Sequence, residues 1–448
     1  MIKFPSSAQN VLTRLHTAGF EAYAVGGSVR DLLMKRPTHG WDFTTNATPE
    51  QILSLFTDSF YDNQFGTVGI KIKNHDETED VYEITTYRSE EGYKDHRHPD
   101  TIRWGSSLKE DLSRRDFTIN AIASDGKSLI DPYEGQKDLA AKVIRTVGVA
   151  KERFAEDALR MMRAVRIASE LGFAIENEAM EAIRSSAQLI ASISAERIRD
   201  ELLRTLGSPH PAEGILLLRQ SGLLVLILPE LEDAFAIGQK SPKRHHIYDV
   251  GTHSVMALKH CASPDPIVRL ATLLHDIGKT KTVRTQPDGV ITFYNHEVAG
   301  ARMTRSIAER LRLSRKQTEK LVTLVRWHQF TVDERQTDSA LRRFIRNVGK
   351  ENIQDMLALR IGDRLGGGAR ETSWRLELYK KRLEEVQKQP FTVADLAIDG
   401  NDVMKQFSIR PGPLVGKALT ALFAEVEQGI LPNTREALLE RLAQLQLT

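Results

Sequence analysis

Two stretches of this chain carry side chains spaced for chemistry. In the first, Gly26-Gly27-Ser28-Val29-Arg30-Asp31 follows the apolar run Ala22–Val25, and Gly40-Trp41-Asp42 comes after a short connector. Paired glycines let backbone N–H groups approach a triphosphate, because no Cβ stands in the way. Arg30 is suited to neutralising phosphate charge, and Asp31 to ordering the turn. Alternation along Trp41-Asp42-Phe43-Thr44 predicts a strand that turns Gly40 and Asp42 to one face. Two carboxylates at that spacing hold two Mg²⁺ ions for an in-line nucleotidyl transfer. Here Asp42 is a carboxylate and Gly40 is not. In the second stretch His275-Asp276 follows Leu273-Leu274, with His253 upstream and Asp363 far downstream. Adjacent His and Asp can bind one metal if they end a helix, while His253 and Asp363 arrive from other helices. His296 and His328 are spaced as a second-metal pair.

These residues need elements to hold them. Val11, Leu12 and Leu15 mark an opening helix ended by Gly19, and strands are predicted at 22–25, 41–44, 68–72 and 81–86, with another apolar segment at 118–123. Thr48-Pro49-Glu50-Gln51 is a capping box that starts a helix. From about 148 onward the period is helical, over 155–171 and 195–206, with a break at Pro209–Pro211 and one strand candidate at 290–294. Residues 239–246, rich in Lys, Arg and His, read as a linker, Gly366-Gly367-Gly368 as a flexible break, and 396–447 as a helical tail interrupted by Pro411-Gly412-Pro413. The expected domains are 1–147, 148–238, 239–372 and 373–448.

Bulk properties bound the reading. A chain of 448 residues suggests about three domains. With 41% hydrophobic and 27% charged residues it reads as soluble and folded. The 62 basic and 60 acidic residues nearly cancel, so a nucleic-acid partner requires a local basic face. Cys261, the single cysteine, excludes an internal disulfide framework and fits a reducing compartment. No apolar run reaches the ~18–20 residues of a membrane span, and Met-Ile-Lys-Phe-Pro lacks the apolar core of a signal peptide. The expected location is the cytoplasm.

The order strand, Gly-Gly-Ser-Val-Arg-Asp, x-Asp on a second strand, then the capping box resembles the head of the class II tRNA nucleotidyltransferases (CCA-adding enzymes) and the related bacterial poly(A) polymerases. In that family the metal-binding motif is Asp-x-Asp; Asp42 matches its second aspartate and Gly40 stands at its first. Arg114-Arg115-Asp116-Phe117-Thr118-Ile119-Asn120-Ala121 resembles the second head motif, which implies that Arg115, Asp116 and Asn120 hold the ribose and triphosphate. Arg suits the task because its planar donor fork matches phosphate oxygens. Asp131-Pro132-Tyr133-Glu134-Gly135, with Asp138-Leu139 and Ile144-Arg145, matches a third element where head meets neck. Glu83 is a candidate third carboxylate for the metal site, with Glu79 and Asp80 as competitors. The polar segment 87–100 aligns with the mobile head loop that accommodates ATP.

Glu156-Asp157-Ala158-Leu159-Arg160 resembles the family element that selects the base. On a helix Asp157 and Arg160 are i, i+3 neighbours, and a simple ion pair is the plain alternative. An Asp can accept from an exocyclic amine while an Arg donates to ring nitrogen and carbonyl, which reads a Watson–Crick edge without a nucleic-acid template. Arg163 and Arg166 continue the basic side of this helix, and Glu196-Arg197-Ile198 resembles a further neck element expected to act as scaffold.

His253, His275, Asp276 and Asp363 resemble the HD phosphohydrolase pattern, which implies a divalent metal of unassigned identity and phosphoester hydrolysis. The segments 396–404 and 411–416 resemble a tRNA-anchoring tail. The resemblance implies an α/β nucleotidyltransferase head, a small β-sheet with helices, followed by an all-α neck, an HD-type body and a tail. It implies template-independent addition of CMP and AMP to the tRNA 3′ end from CTP and ATP, with Mg²⁺ on Asp42, pyrophosphate released and no membrane involved; Glu83 stays the candidate further carboxylate, a solvated strand residue being the alternative. Gly40 is expected to impair that reaction. The alternatives are a poly(A) polymerase or a partial (A- or CC-adding) enzyme, and an inactive RNA-binding head beside a working HD phosphohydrolase.

Overall fold

A computed structural model describes residues 3–38, 40–63, 66–73, 79–91, 101–104, 107–239, 248–330, 333, 335–371, 373–387 and 393–445. Most of the expected ATP loop (92–100) and of the expected linker (240–246) lies outside them. The chain forms two compact units, Met1–Gly238 with Ser306–Ser314, and Gln239–Arg305 with Arg315–Thr448.

The first unit opens with α1 (Ser6–Thr17), whose Ala8, Val11, Leu12 and Leu15 recur at helical spacing and are buried. Beyond Gly19 (φ +89°) comes β1 (Ala22–Val25), then α2 (Gly27–Leu33) and β2 (Asp42–Thr45), antiparallel to β1. α3 (Pro49–Leu55) starts at the expected capping box, with Gln51 N–H donating to Thr48 Oγ1 and Thr48 N–H to Gln51 Oε1. β3 (Ser59–Asn63), β4 (Thr67–Lys73) and β5 (Glu79–Thr86) follow, then the hairpin β6 (Arg88–Glu91) and β7 (Thr101–Trp104), α4 (Leu108–Ser113), β8 (Ala123–Ser124) and β9 (Leu129–Ile130). Among the described residues the main sheet runs β3-β4-β5-β2-β1-β8-β9, with β2 and β5 parallel. One face packs Ala22, Ala24, Phe43, Val68, Ile70 and Ile84 against α1 in the head core. The opposite face carries Asp42 and is partly covered by α4 through Leu112. The apolar segment at 118–123 is a 3-10 turn, Thr118–Asn120, followed by the short β8.

α5 (Gly135–Ala141) packs on that 3-10 turn, where a Cβ at Gly135 would collide with the Thr118 carbonyl. Asp131 caps α5, accepting from the backbone of Gly135 (2.7 Å) and Gln136 (2.9 Å). β10 (Val143–Ile144) pairs with β11 (Ala174–Ile175) across α6 (Ala150–Glu156) and α7 (Leu159–Leu171). The single helix expected over 155–171 is therefore two, because Asp157 adopts extended backbone (φ −136°, ψ 105°) between them. α8 (Asn177–Ser186), α9 (Ala195–Gly207), α10 (Pro211–Gln220), α11 (Leu224–Ile227) and α12 (Pro229–Ala234) complete this helical part.

The second unit contains α13 (Val250–Lys259), α14 (Pro266–Leu274), α15 (Lys279–Thr282), the hairpin β12 (Arg284–Thr285) and β13 (Ile291–Thr292), the start of α16 (His296–Arg310), α17 (Arg315–Trp327), α18 (Asp338–Val348), α19 (Ile353–Gly366) and α20 (Trp374–Gln387). Strand structure at 290–294 is confined to β13. Gly366 ends α19 rather than loosening the chain: Cβ atoms at Gly362 and Gly366 would lie 2.7 Å from the carbonyl oxygen and 2.5 Å from the nitrogen of Ala257 on α13. Glycine lets these two backbones meet. In the tail, α21 (Gly400–Phe407), α22 (Pro413–Glu427) and α23 (Arg435–Gln444) bury Val403, Leu422, Phe423 and Leu438 in their own core, so those apolar positions serve packing.

Candidate functional site

The head site grows from the end of β1. Gly26 has φ +78°, and a Cβ there would sit 3.1 Å from Asp42 Oδ2 and 3.3 Å from Arg115 Nη1. The backbone angle favours glycine, and a Cβ would also press on both side chains. Across the β2–β5 register Asp42 lies beside Glu83, whereas Glu79 and Asp80 pair with Lys73 and Ile72 of β4. Register neighbours on adjacent strands point to the same face, so Glu83 is the carboxylate that could share a cation with Asp42. Gly40 departs from the expected alternation. It precedes β2 and has φ +72°, so it does not lie on the strand with Asp42.

Asp42 is solvent-accessible yet crowded by protein atoms. Burial raises its carboxyl above the ordinary aspartate range, against the pull of Arg115 and Arg163. Arg30 is buried; its Nε and Nη1 donate to Asp31 and Asn120, each at 2.9 Å. Asn120 in turn donates to Asp116 Oδ1 (3.2 Å), while Arg163 grips Asp116 Oδ2 through Nε (2.8 Å) and Nη2 (2.5 Å). Burial opposes ionisation of Asp116, but Arg163's charge and these hydrogen bonds hold its carboxyl far below the usual range. A chain of charge-assisted bonds thus joins α2, the 3-10 turn and α7. Gly27 starts α2, and a Cβ there would lie 3.5 Å from Arg30 Nη2.

Asp111, which sequence reasoning passed over, is fully buried under this face. It accepts from Thr44 Oγ1 (3.1 Å) and from Arg114 (2.6 Å), and lies 3.5 Å from Arg115 Nη2. Arg115 is thereby held between Asp111 and the Asp42 side, with its buried Nε unpartnered. The only local signal for Asp111 was its place in a helix opened by a Ser107–Glu110 capping box.

The neck pair is not a pair. Asp157 Oδ2 accepts from Arg197 Nη2 of α9 (3.0 Å), and Arg160 donates to Glu156 (2.5 Å) and to the carbonyls of Arg153 and Arg114. At the helix break the Asp157 side chain turns to cap α7, accepting from Leu159 N–H (3.0 Å), while only its backbone carbonyl meets Arg160 N–H (3.0 Å). Arg197, expected to be scaffold, holds Asp157. Arg166 does not extend a basic surface; it is buried against Glu201 (2.6 Å) and Glu170 (2.9 Å).

In the second unit, helices and turns gather six ligand-type side chains into two groups, His253–His275–Asp363 and Asp276–His296–His328. The expectation that His275 and Asp276 bind one ion is compatible with this geometry, and Asp276 also turns its second oxygen toward the other group. Its Oδ2 lies 3.3 Å from His275 Nε2 and 3.7 Å from His253 Nε2, and its Oδ1 lies 3.2 Å and 3.6 Å from His296 and His328 Nε2. Asp363 Oδ1 is 3.1 Å from His253 Nε2. Three imidazoles are oriented by backbone: Nδ1 of His275, His296 and His328 meets the carbonyls of Thr272 (2.7 Å), Phe293 (2.9 Å) and Val325 (2.7 Å). That places the proton on Nδ1 and leaves Nε2 as the donor atom facing the cluster. His275 Nε2 is buried with no hydrogen-bond partner. Lys279 Nζ, unassigned from sequence, bridges Asp276 Oδ2 (2.6 Å) and Gln239 Oε1 (2.7 Å). Burial works against charging His275, yet Asp276 and Asp363 raise it to about 10. Burial also resists ionisation of Asp276, and Lys279 with His275 holds it well below the ordinary value. The carboxylates therefore favour positive charge here, which suits a divalent cation.

Comparison with known proteins places these features. Residues 22–145 match the family described as "Poly A polymerase head domain", 172–235 the "Probable RNA and SrmB-binding site of polymerase A", and 293–442 a tRNA nucleotidyltransferase domain 2. The chain is 35% identical over 438 residues to the CCA-adding enzyme of Latilactobacillus sakei subsp. sakei (strain 23K), covering 97% of each. It is 33% identical to that of Lactiplantibacillus plantarum (strain ATCC BAA-793 / NCIMB 8826 / WCFS1), over 97% of this chain and 95% of the other. The crystal structure of the Bacillus stearothermophilus CCA-adding enzyme in complex with CTP superposes with a TM-score of 0.72 at 29% identity, covering 98% of this chain and 96% of that one.

Proposed function

Because the chain belongs to the CCA-adding enzymes, we propose that its head and neck add CMP and AMP to the 3′ end of tRNA from CTP and ATP. The 3′-hydroxyl of the RNA attacks the α-phosphorus, the bond to the β-phosphate oxygen breaks, and pyrophosphate leaves. The observation that carries this reading is the convergence of Gly26, Asp42, Glu83 and Arg115 on one open sheet face. Asp42 and Glu83 would hold Mg²⁺, and the raised carboxyl of Asp42 fits a group whose charge a cation restores. When bound, that ion lowers the pKa of the attacking hydroxyl and offsets charge on the phosphate. Arg115, steadied by Asp111, meets phosphate oxygens. Asn120 and Asp116 orient the sugar, and Asp157 and Arg160, held in place by Arg197 and Glu156, read the base edge.

The test is a product ladder on tRNA transcripts lacking the terminal CCA, with CTP, ATP or both. The parent chain, lacking a carboxylate at Gly40, should incorporate CMP slowly, and Gly40→Asp should raise the rate by orders of magnitude. Aspartate tolerates positive φ better than most residues, so the strain at this position costs about 1 kcal/mol. Equal rates in both proteins would remove position 40 from the metal-site argument. Long poly(A) products in place of CCA would favour the poly(A) polymerase alternative.

A second activity is favoured by the six-ligand cluster. His253, His275, Asp276, Asp363, His296 and His328 fit two divalent cations sharing Asp276, supporting phosphoester hydrolysis in the second unit. The orphaned His275 Nε2 and the backbone-anchored Nδ1 atoms are the observations behind it.

A further inference from the structure

The registers of the head sheet put one more side chain on the face that carries Asp42 and Glu83. Asp42 pairs with Glu83, Glu83 with Gly69 of β4, and Gly69 with Phe60 of β3, so the four stand in one row across four strands. Register partners share a face, which sets Phe60 on the side of the two carboxylates. Its ring lies back over Gly69: a Cβ there would sit 2.5 Å from Phe60 Cζ and 2.9 Å from both Cε atoms. Any larger residue at 69 would push the ring off the sheet. Neighbouring strands are about 4.8 Å apart, so a ring above Gly69 is one strand away from Glu83. Phe60 is nevertheless 40% exposed and lies outside the head core, whose Phe43 and Tyr82 are on the opposite face. Two residues along β4, and on the same face as Gly69, Lys71 is exposed as well.

The direction of the reaction assigns an occupant to this ring. Gly26 and Arg115 crowd Asp42 from the β1 side, the side to which α2 brings Arg30. In an in-line displacement the attacking and leaving oxygens lie on opposite sides of the phosphorus. With pyrophosphate leaving toward β1, the RNA 3′-hydroxyl arrives from β5 and β4, because the strands run β3-β4-β5-β2-β1. The nucleotide that bears this hydroxyl then passes over Gly69. An exposed aromatic ring beside a cation is how single-stranded nucleic acid is held, with a base on the ring and a phosphate on the charge.

We propose that Phe60 is the stacking platform for the 3′-terminal base of the acceptor RNA, with Lys71 meeting its backbone phosphate. The inference rests on the reading of the head as a nucleotidyltransferase acting on tRNA. Stacking suits this position because every base has a π face, and the terminal base changes as each nucleotide is added. Phe60 makes and breaks no bond; it holds the hydroxyl in line.

The test uses the full chain and tRNA transcripts lacking the terminal CCA. In the Gly40→Asp background, Phe60→Ala should raise the KM for tRNA about tenfold and leave the KM for CTP unchanged, and Phe60→Tyr should restore it. A transcript whose last nucleotide lacks its base should be used about tenfold less well by the Gly40→Asp chain, with no further loss in Phe60→Ala. Binding alone is read on the chain with Gly40 in place. A transcript ending in 2-aminopurine should lose fluorescence on it and keep that fluorescence on Phe60→Ala. Unchanged tRNA KM and unchanged quenching in a folded Phe60→Ala would overturn the platform. So would equal rises in both KM values with a lowered Tm, the mark of a packing residue. A chain that adds no nucleotide even as Gly40→Asp, yet quenches 2-aminopurine through Phe60, would overturn the transfer reading while supporting the platform.

Discussion

Asp42 sits where protein atoms crowd a carboxylate that catalysis needs ionised. Burial outweighs the attraction of Arg115 and Arg163, so the group binds its proton more tightly folded than unfolded. The folded state then holds the extra proton between the ordinary aspartate value, about 3.9, and the raised one, and stability falls as pH rises through that window. At neutral pH the whole penalty is present. Asp42→Asn should therefore abolish nucleotide addition yet raise the denaturation midpoint at pH 7, with the gain shrinking toward pH 4. Equal or lower stability of the variant at pH 7 would refute the account. Asp116 shows the opposite balance. There Arg163 and Asn120 more than offset burial, so ionised Asp116 supports the fold above the ordinary aspartate value and loses that support in acid.

Among the elements, the break between α6 and α7 matters most for specificity. A continuous helix would have turned Asp157 and Arg160 toward each other; the extended residue Asp157 instead reaches Arg197 on α9. Three segments thereby fix a carboxylate and a guanidinium separately, each keeping its own supporting partner. Arg197→Ala should lower the CTP-to-UTP ratio of kcat/KM by about tenfold, within the ~1–3 kcal/mol that base contacts contribute. The assay belongs in the Gly40→Asp background, where turnover is fast enough to measure. A role confined to a partly exposed ion pair predicts under ~1 kcal/mol of stability and an unchanged ratio. In the second unit the decisive pairing is α13 with α19. Gly362 and Gly366 allow their close approach, which brings His253 and Asp363 within 3.1 Å.

At the scale of the molecule, the head and neck residues lie in one compact unit and the six-ligand cluster in the other. Asp276 offers one oxygen to each ligand group, so its loss should disable both. Asp276→Ala should lose stoichiometric binding of Mn²⁺ or Ni²⁺ to the second unit and hydrolysis of a 2′,3′-cyclic phosphate. CTP incorporation into tRNA should persist at the parent rate. Calorimetric metal titration and the two assays on one preparation check this; cyclic-phosphate hydrolysis that survived the change would refute the assignment of the cluster.

Local chemistry was legible in the residues alone. The strand Ala22–Val25, the helix stripe of α1 and the Thr48 capping box depend on neighbours within a few positions, and they form where period and cap predict. The motif residues of the head were nameable only through the order of the motifs and the resemblance it carries, since a glycine pair alone reads as a tight turn and an Arg-Asp cluster alone as surface charge. Long-range geometry decided the rest. Glu83 was the candidate from sequence, with Glu79 and Asp80 as competitors, and the parallel register is what sets it beside Asp42. Helical period ran through Asp157 because period does not register a partner 40 residues away on another helix. Gly366 read as part of a flexible break because sequence does not show the backbone of Ala257 against it. His275 and Asp276 are adjacent in sequence, but only the helices arriving with His253, Asp363, His296 and His328 divide the ligands into two groups around one carboxylate.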